Sequence, residues 1–293
     1  MELYLNENKN IKLSRFYTCD NIFDSDIDLY DADTGKIVLS FKKKVIADKY
    51  YKLNSQVIKY SKTYSSNRGD AAGVTNVKDL QKGMEHWKNY PVEVVDKNGS
   101  ALPDDHQEVT SFIKMKDGMI CKRKRSNQVK SQSIGGYDKS NVFPCRLTNW
   151  TARHLIAYKS IFPLCKVVSD LYFSYFPDYW LNQYDKYSKS PKDFVIPDTN
   201  FSTLTINANF RTAAHKDKGD CKDGLTCFSV IEEDDFEGGE LCFPTYDIGI
   251  NVRQGDLVIF DPHVIHCNNR LKKDGRISLV FYLREKLHNC ENK

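Results

Sequence analysis

The spacing of apolar and polar positions changes character near Pro197. Upstream, from Thr151 to Tyr187, Leu155, Ile156, Ile161, Phe162, Leu164, Val167, Val168, Leu171, Tyr172 and Tyr175 recur at helical intervals, interrupted at Pro163 and Pro177. That spacing predicts two or three helices that lay one face on a core. Downstream, short β-rich runs follow one another between Gly, Asp and Pro turns: Phe201–Asn207, Leu225–Glu232, Glu240–Phe243, Ile248–Val252, Asp256–Phe260, His263–Cys267 and Ile277–Leu283. Such a series implies an antiparallel sandwich or barrel. Helices followed by a barrel make the class α+β in one compact domain.

The first half is less regular. Lys36–Phe41 alternates as a strand does, and after the basic Lys42, Lys43 and Lys44 a helix-like segment runs to about Tyr60. The small polar residues of Tyr64–Gly73 suit a loop, Lys78–Tyr90 a short helix closed by Pro91, and Asp96–Asp105 a surface turn. The most basic stretch, Lys114–Lys130, runs into SQSIGGYDKSN, a composition that suits a mobile segment, a phosphate-facing loop or simply a solvated charged turn. The expected organisation is one domain over 1–293, with 1–143 as an N-terminal extension of helices and strands carrying the basic loop and 144–293 as the core with its supporting helices.

Composition narrows the function classes only a little. The 293 residues are 40% hydrophobic, enough for a substantial core, and 43 basic against 39 acidic side chains leave a net charge of +4. Any affinity for a polyanion must therefore come from a local patch. No apolar run is long enough to span a membrane and the start is too polar for a secretory signal, so a soluble protein of cytoplasm or nucleus is expected, with no membrane and no obligate protein partner. Nine scattered cysteines, odd in number and never spaced Cys-x-x-Cys, argue against a zinc knuckle or a disulfide framework and are expected to be reduced thiols filling the core.

The chemistry gathers after Asn207. His215 and Asp217 stand two apart, so an extended chain aims both at one point, and His266 lies on a later strand. Two imidazoles and a carboxylate on one face leave half of an iron(II) coordination sphere open, the facial arrangement that lets a co-substrate and dioxygen bind together. Arg276 and Ser278, at the start of the next apolar strand, offer a guanidinium fork and a hydroxyl for a carboxylate. Singly, each histidine is more often a hydrogen-bonded structural residue and Arg276 a surface ion pair; four residues in this order weigh more than any one. His263 competes for the second histidine position but stands on the opposite phase and is expected to support the site rather than bind metal.

These residues, with FEGGELCFP (Phe236–Pro244) and the RQGD turn (Arg253–Asp256), resemble the double-stranded β-helix (jelly-roll, cupin-like) core of 2-oxoglutarate oxygenases. NFRTAAHKDKGD (Asn209–Asp220), IGINVRQGD, DPHVIHCNN and RISLVFYLRE are similar to the Tet and base-J-binding-protein branch, whose members oxidise the 5-methyl group of pyrimidines in DNA. The resemblance runs from about Pro144 to Glu285. It implies that His215, Asp217 and His266 bind Fe(2+), that Arg276 and Ser278 hold 2-oxoglutarate, and that O2 is the second co-substrate; Asn207 and Arg211 would orient the co-substrate or a water, and ascorbate is a possible reductant. The substrate so implied is thymine or 5-methylcytosine in nucleic acid, with Lys122, Arg123, Lys124 and Arg125 positioned to hold phosphates. Neither an appended DNA-binding module nor a cysteine-rich zinc region is present in the sequence. Because FxGGxxxFP also occurs in prolyl hydroxylases, a protein side-chain hydroxylase is the alternative, and a binding module with a degenerate metal site is the reading outside enzymes.

Overall fold

A computed structural model describes residues 1–8, 10–52, 57–58, 62–65, 68–73, 75–76, 93–102, 107–108, 110–114, 117–124, 129–140 and 143–291. Its principal strands are, in chain order, β1 (Glu2–Leu5), β2 (Ile27–Asp31), β3 (Ile37–Lys42), β4 (Val129–Tyr137), β5 (Thr203–Ala208), β6 (Thr226–Glu232), β7 (Leu241–Phe243), β8 (Ile248–Ile250), β9 (Leu257–Phe260), β10 (Cys267–Asn268) and β11 (Arg276–Tyr282). Eight of them form the large sheet in the order β1-β2-β3-β9-β6-β11-β5-β4, while β10-β7-β8 belong to a small sheet edged by Ile22–Phe23. The barrel runs expected after Pro197 are thus strands, with ends within a few residues of the sequence reading, except His263–Cys267, where residues 262–264 form a turn and the strand is Cys267–Asn268.

Alternation along the central strands explains why the large sheet lies between two layers. In β9, Leu257 and Ile259 join the helices, Ile134, Leu204, Ile206 and Phe281 in one buried cluster. Val258 and Phe260 join Phe228, Val230, Leu241, Phe243, Ile248 and Ile250, which ties the two sheets together. Burying each such side chain contributes about 1.5–3 kcal/mol. The helical layer is built of α1 (Asn149–Arg153), α2 (Leu155–Ser160), α3 (Phe162–Tyr175) and α4 (Pro177–Lys189). Pro163 and Pro177, read from sequence as interruptions, stand in the first turns of α3 and α4, where the missing N–H costs nothing. Thr148 caps α1 by accepting from Thr151 N. In α3 the buried Leu164, Cys165, Val168, Ser169 and Tyr172 fall on one face.

Three expectations are corrected. The first concerns the N-terminal helices: the regular structure described in residues 1–143 is mostly strand, with helix at Lys49–Lys52 and at residues 57–58 and a 3-10 turn at Gly69–Ala72, and β1–β3 extend the large sheet itself. The flanking helices are those of residues 149–189, next to the barrel in sequence. The Lys78–Tyr90 helix lies outside the described residues. Secondly, SQSIGGY is neither loop nor turn but the body of β4, its Ser131–Gly135 paired with β5 and its last two residues with Arg146–Leu147. Its small residues serve close packing: a Cβ on Gly136 would stand 2.0 Å from Phe194 O, a distance only glycine avoids.

The third correction concerns the thiols. Cys145 and Cys290, 145 residues apart, form a disulfide, because the C-terminal turn around Leu287 and Cys290 packs with Val195, Cys221 and Leu283 beside Cys145. Cys19, Cys165, Cys221, Cys227, Cys242 and Cys267 stand outside any disulfide and are buried as expected. Closing so long a loop restricts the unfolded chain, so Cys290→Ser is expected to cost about 2–4 kcal/mol. Urea unfolding of wild type and variant, each with and without reductant, measures it; identical wild-type curves with and without reductant would mean that the bond is not formed in solution.

Candidate metal centre and its pocket

The metal-ligating group is assembled by backbone pairing. His215 N donates to His266 O and His266 N donates to His215 O, each at 3.0 Å, an isolated antiparallel bridge, and two residues on Asp217 N donates to Pro262 O at 2.9 Å. Paired backbones put the two imidazoles on one side, with ring centroids 4.3 Å apart. Asp217, at i+2 of the same extended stretch, reaches the same point. Asp217 Oδ1 stands 3.8 Å from His215 Nε2, and Oδ2 stands 3.3 Å from His266 Nε2. The three ligand atoms lie within 4.8 Å of one another, close enough to hold a metal ion.

Each histidine has its other nitrogen engaged. His215 Nδ1 lies 2.8 Å from Ala213 O and His266 Nδ1 lies 2.9 Å from Val264 O. A carbonyl can only accept, so both Nδ1 atoms carry the proton and both Nε2 lone pairs face the metal position. Burial, reinforced by the neighbouring His266, lowers the His215 imidazole to about 4, so it is neutral at neutral pH. Burial pushes the Asp217 carboxyl up, but its polar neighbours His266, His215 and Arg68 outweigh it and hold the group below the ordinary carboxylate range. Two imidazoles and a carboxylate suit a divalent first-row metal. His263 is not part of the group; its Nδ1 lies 3.2 Å from Asp261 Oδ1.

A pocket of about 410 Å3 opens beside these residues, lined at its apolar end by Phe228, Leu241, Phe260 and Val280 and at its polar end by Arg68, Tyr137, Lys216, Lys218 and Arg284. Strands β5 and β11 furnish one wall. Their register sets Asn207 opposite Ser278, Thr205 opposite Val280 and Thr203 opposite Tyr282. Asn207 lines the pocket, accepts from Ser131 Oγ and donates to Ser278 Oγ at 3.3 Å.

Arg276 and Ser278 stand on the same face of β11 as Val280 and Tyr282. The Arg276 side chain is almost wholly buried, at 2% exposure. It packs over Phe228 with the guanidinium carbon 5.5 Å from the ring centre, and its Nη2 has no hydrogen-bond partner among the described residues. Burial lowers this guanidinium to about 10, which still leaves it charged at neutral pH. A buried cationic donor without a partner is costly, and it is what a co-substrate carboxylate would satisfy. Two features unnoticed in the sequence hold Arg276 in place. The Asn209 side chain, on a residue with φ +48°, accepts from Gly275 N and Arg276 N. Gly239 lets β11 approach, since a Cβ there would stand 3.1 Å from Arg276 Cδ.

Other expected residues fall elsewhere. Arg211 donates to Asn268 O and Tyr17 O, stacks on Phe16 and lines a separate groove, so it does not face the metal pocket. Lys122, Arg123 and Lys124 lie on the strand Ile120–Lys124 of a separate three-stranded sheet, and Arg125 is outside the described residues. The sequence reading missed the pocket's polar rim: Arg284 donates to Asp138 Oδ1 at 3.0 and 3.1 Å and covers the Tyr137 ring, and the buried Asp220 carboxyl, pushed up by burial and by Asp217, accepts from Thr226. The only trace of this rim in the sequence is the polar run after Asp217.

Comparison with known proteins agrees with this geometry. The family described as the oxygenase domain of the 2OGFeDO superfamily, Tet_JBP, matches residues 133–285. Thymine dioxygenase JBP1 of Crithidia fasciculata is 36% identical over 170 residues, which are 53% of this chain and 20% of that protein. The protein of the same name from Trypanosoma brucei brucei is 33% identical over 173 residues, 54% of this chain and 19% of that one. The match therefore spans about a fifth of these relatives' length. Among solved structures, NgTET1 in complex with 5mC DNA superposes with a TM-score of 0.50 at 11% identity, over 93% of this chain and 83% of that one, a likeness of fold.

His215→Ala and Asp217→Ala are each expected to weaken divalent-metal binding at least about 100-fold, since even the outer partners of metal ligands are worth about 10–100-fold. His263→Ala should bind as wild type does. Anaerobic calorimetric titration with iron(II) measures both, and loss of binding in His263→Ala with retention in His266→Ala would reverse the choice of histidine.

Proposed function

Because the chain belongs to the Tet_JBP family, the oxygenase domain of the 2OGFeDO superfamily, we propose that it is an iron(II)- and 2-oxoglutarate-dependent dioxygenase that hydroxylates the 5-methyl group of a pyrimidine in nucleic acid. The observation that carries the reading is the pairing of a three-ligand metal site with a buried guanidinium, its Nη2 unpartnered among the described residues, on the strand whose Val280 and Tyr282 line the pocket and against Phe228, which lines it too. The substrate class rests on the relatives named thymine dioxygenase. In this reading the two facing sheets are the double-stranded β-helix of such oxygenases, within one domain. The FEGGELCFP segment, which also left a prolyl hydroxylase open, is accounted for by the turn that makes room for Arg276 and by strand β7.

Bound iron, with 2-oxoglutarate and dioxygen, would supply oxidation of a C–H bond coupled to decarboxylation of the keto acid to succinate. The chain does the rest. His215 and His266 present Nε2, and Asp217 a carboxylate oxygen, on one side of the metal, leaving the other side for the co-substrates. The carbonyls of Ala213 and Val264 hold the ring tautomers. Arg276 and Ser278 receive the distal carboxylate of 2-oxoglutarate, and Asn207 holds the Ser278 hydroxyl in position. Phe228, Leu241, Phe260 and Val280 keep water from the apolar end. A pyrimidine inside a strand must leave its stack to reach this depth; Arg68, Tyr137, Lys216 and Lys218 stand at the polar end where its backbone would remain. Lys122, Arg123, Lys124 and Arg125 are proposed to hold phosphates farther along the strand.

Two outcomes test the proposal. Arg276→Ala should lose an interaction worth about 2–5 kcal/mol, a rise of at least about 30-fold in the 2-oxoglutarate concentration required, with Arg276→Lys between the two. An unchanged requirement would give the carboxylate to another residue. Incubation with iron(II), 2-oxoglutarate and thymine- or 5-methylcytosine-containing DNA or RNA should yield hydroxymethylpyrimidine by mass spectrometry. Hydroxylation of proline peptides with no oxidised base would replace the substrate.

A further inference from the structure

A second cleft, of about 500 Å3, opens beside the metal pocket, and Arg68 and Tyr137 line both. Gln132, Arg146, Trp150 and the exposed Asn149 and Phe143 also line it. The volume falls within the range of about 300–1,000 Å3 usual for small-molecule sites. Among the described residues no carboxylate lines this cleft, whereas Asp70, Asp217 and Asp220 all line the metal pocket. It is therefore the more favourable of the two for an anion.

Two features specify the anion's form. On the shared wall, Arg68 donates through Nη2 to Ser133 Oγ at 3.2 Å, while its Nε is buried with no hydrogen-bond partner among the described residues. A donor left unsatisfied between two cavities suits a group that spans them. On the outer wall, the Arg146 guanidinium lies over the Phe143 ring, 4.4 Å from its centre, and Phe143 is 53% exposed. A guanidinium stacked on an aromatic ring is a flat, cationic platform of the kind on which unstacked bases rest. Cys145, between Phe143 and Arg146 in the chain, anchors this wall to Cys290.

We infer that the second cleft is the subsite for the nucleotide adjoining the one whose base enters the metal pocket, its base on the Arg146–Phe143 platform and the linking phosphate at Arg68. This inference rests on the nucleic-acid reading proposed above. A strand bound so is splayed apart at the target, with consecutive bases in separate cavities and the phosphodiester crossing the ridge between them. Gln132 and Asn149 offer amide donors and acceptors to the edge of the neighbouring base. The enzyme would thereby sense sequence context on one side of its target.

The test uses short single-stranded oligonucleotides with one oxidisable pyrimidine and either intact flanks, an abasic 5′ neighbour or an abasic 3′ neighbour. Oxidised base is read by mass spectrometry as kcat/KM. In the wild-type protein, removing the base on one side should lower kcat/KM about five- to hundredfold, the range of base stacking on such a surface, and removing it on the other side should matter little. Combined Arg146→Ala and Phe143→Ala, with a wild-type melting temperature, should bring the intact oligonucleotide down to the level of that abasic one and leave the abasic one where it was. Arg146→Lys should fall between. Abasic substrates as good as the intact one, or an equal loss on all three in the double variant, would remove the subsite while leaving the enzyme's function in place. No oxidation of any oligonucleotide, with hydroxylation of a peptide, would overturn the functional reading and the subsite with it.

Discussion

The reciprocal backbone hydrogen bonds between His215 and His266 are the constraint on which the centre depends. They join residues 51 positions apart in sequence and place both imidazoles on one side, ring centres 4.3 Å apart. Asp217, tied by its own N–H to Pro262 O, then has no freedom to miss them. Side-chain ligands on flexible loops would spend binding energy on being ordered; here the backbone bonds bear that cost on folding. The carbonyls two residues before each histidine complete the arrangement by fixing which nitrogen is free.

The large sheet turns this local pairing into a pocket. Its helical face is filled with apolar side chains, and the face toward the small sheet changes character along β5 and β11, from Arg276 and Ser278 through Val280 to Tyr282. Carrying a charged guanidinium at 2% exposure is expensive. The fold tolerates it through the Phe228 ring, the space left by Gly239 and the Asn209 side chain that secures the strand end. Stability is given up there, and a carboxylate partner would restore part of it.

At the pocket's open end the polar groups come from segments distant in sequence. Arg68 and Tyr137 precede the barrel, Arg284 follows its last strand, and Asp138 links Tyr137's neighbourhood to Arg284. The ridge between the two cavities is thus shared by β4 and the residue that leads into the Gly69–Ala72 turn, so any change in how β4 seats on β5 alters both cavities together.

Much of this was legible in the residues alone. Period-two runs after Pro197 and the helical spacing of 151–187 needed no partner to be recognised, because each pattern is local. The spacing of His215, Asp217, His266 and Arg276 already narrowed the chemistry to a metal and a carboxylate. What the chain could not disclose were facts of tertiary distance. Cys145 and Cys290 look like scattered thiols until the C-terminal turn brings them together. SQSIGGY reads as a loop because its small residues meet neighbouring backbones rather than fill a core. Nothing in the sequence separates Arg211 from Arg276, yet one finds two carbonyls and a ring while the other is buried with its Nη2 unpartnered among the described residues. Only packing decides which buried charge is left for a ligand to satisfy.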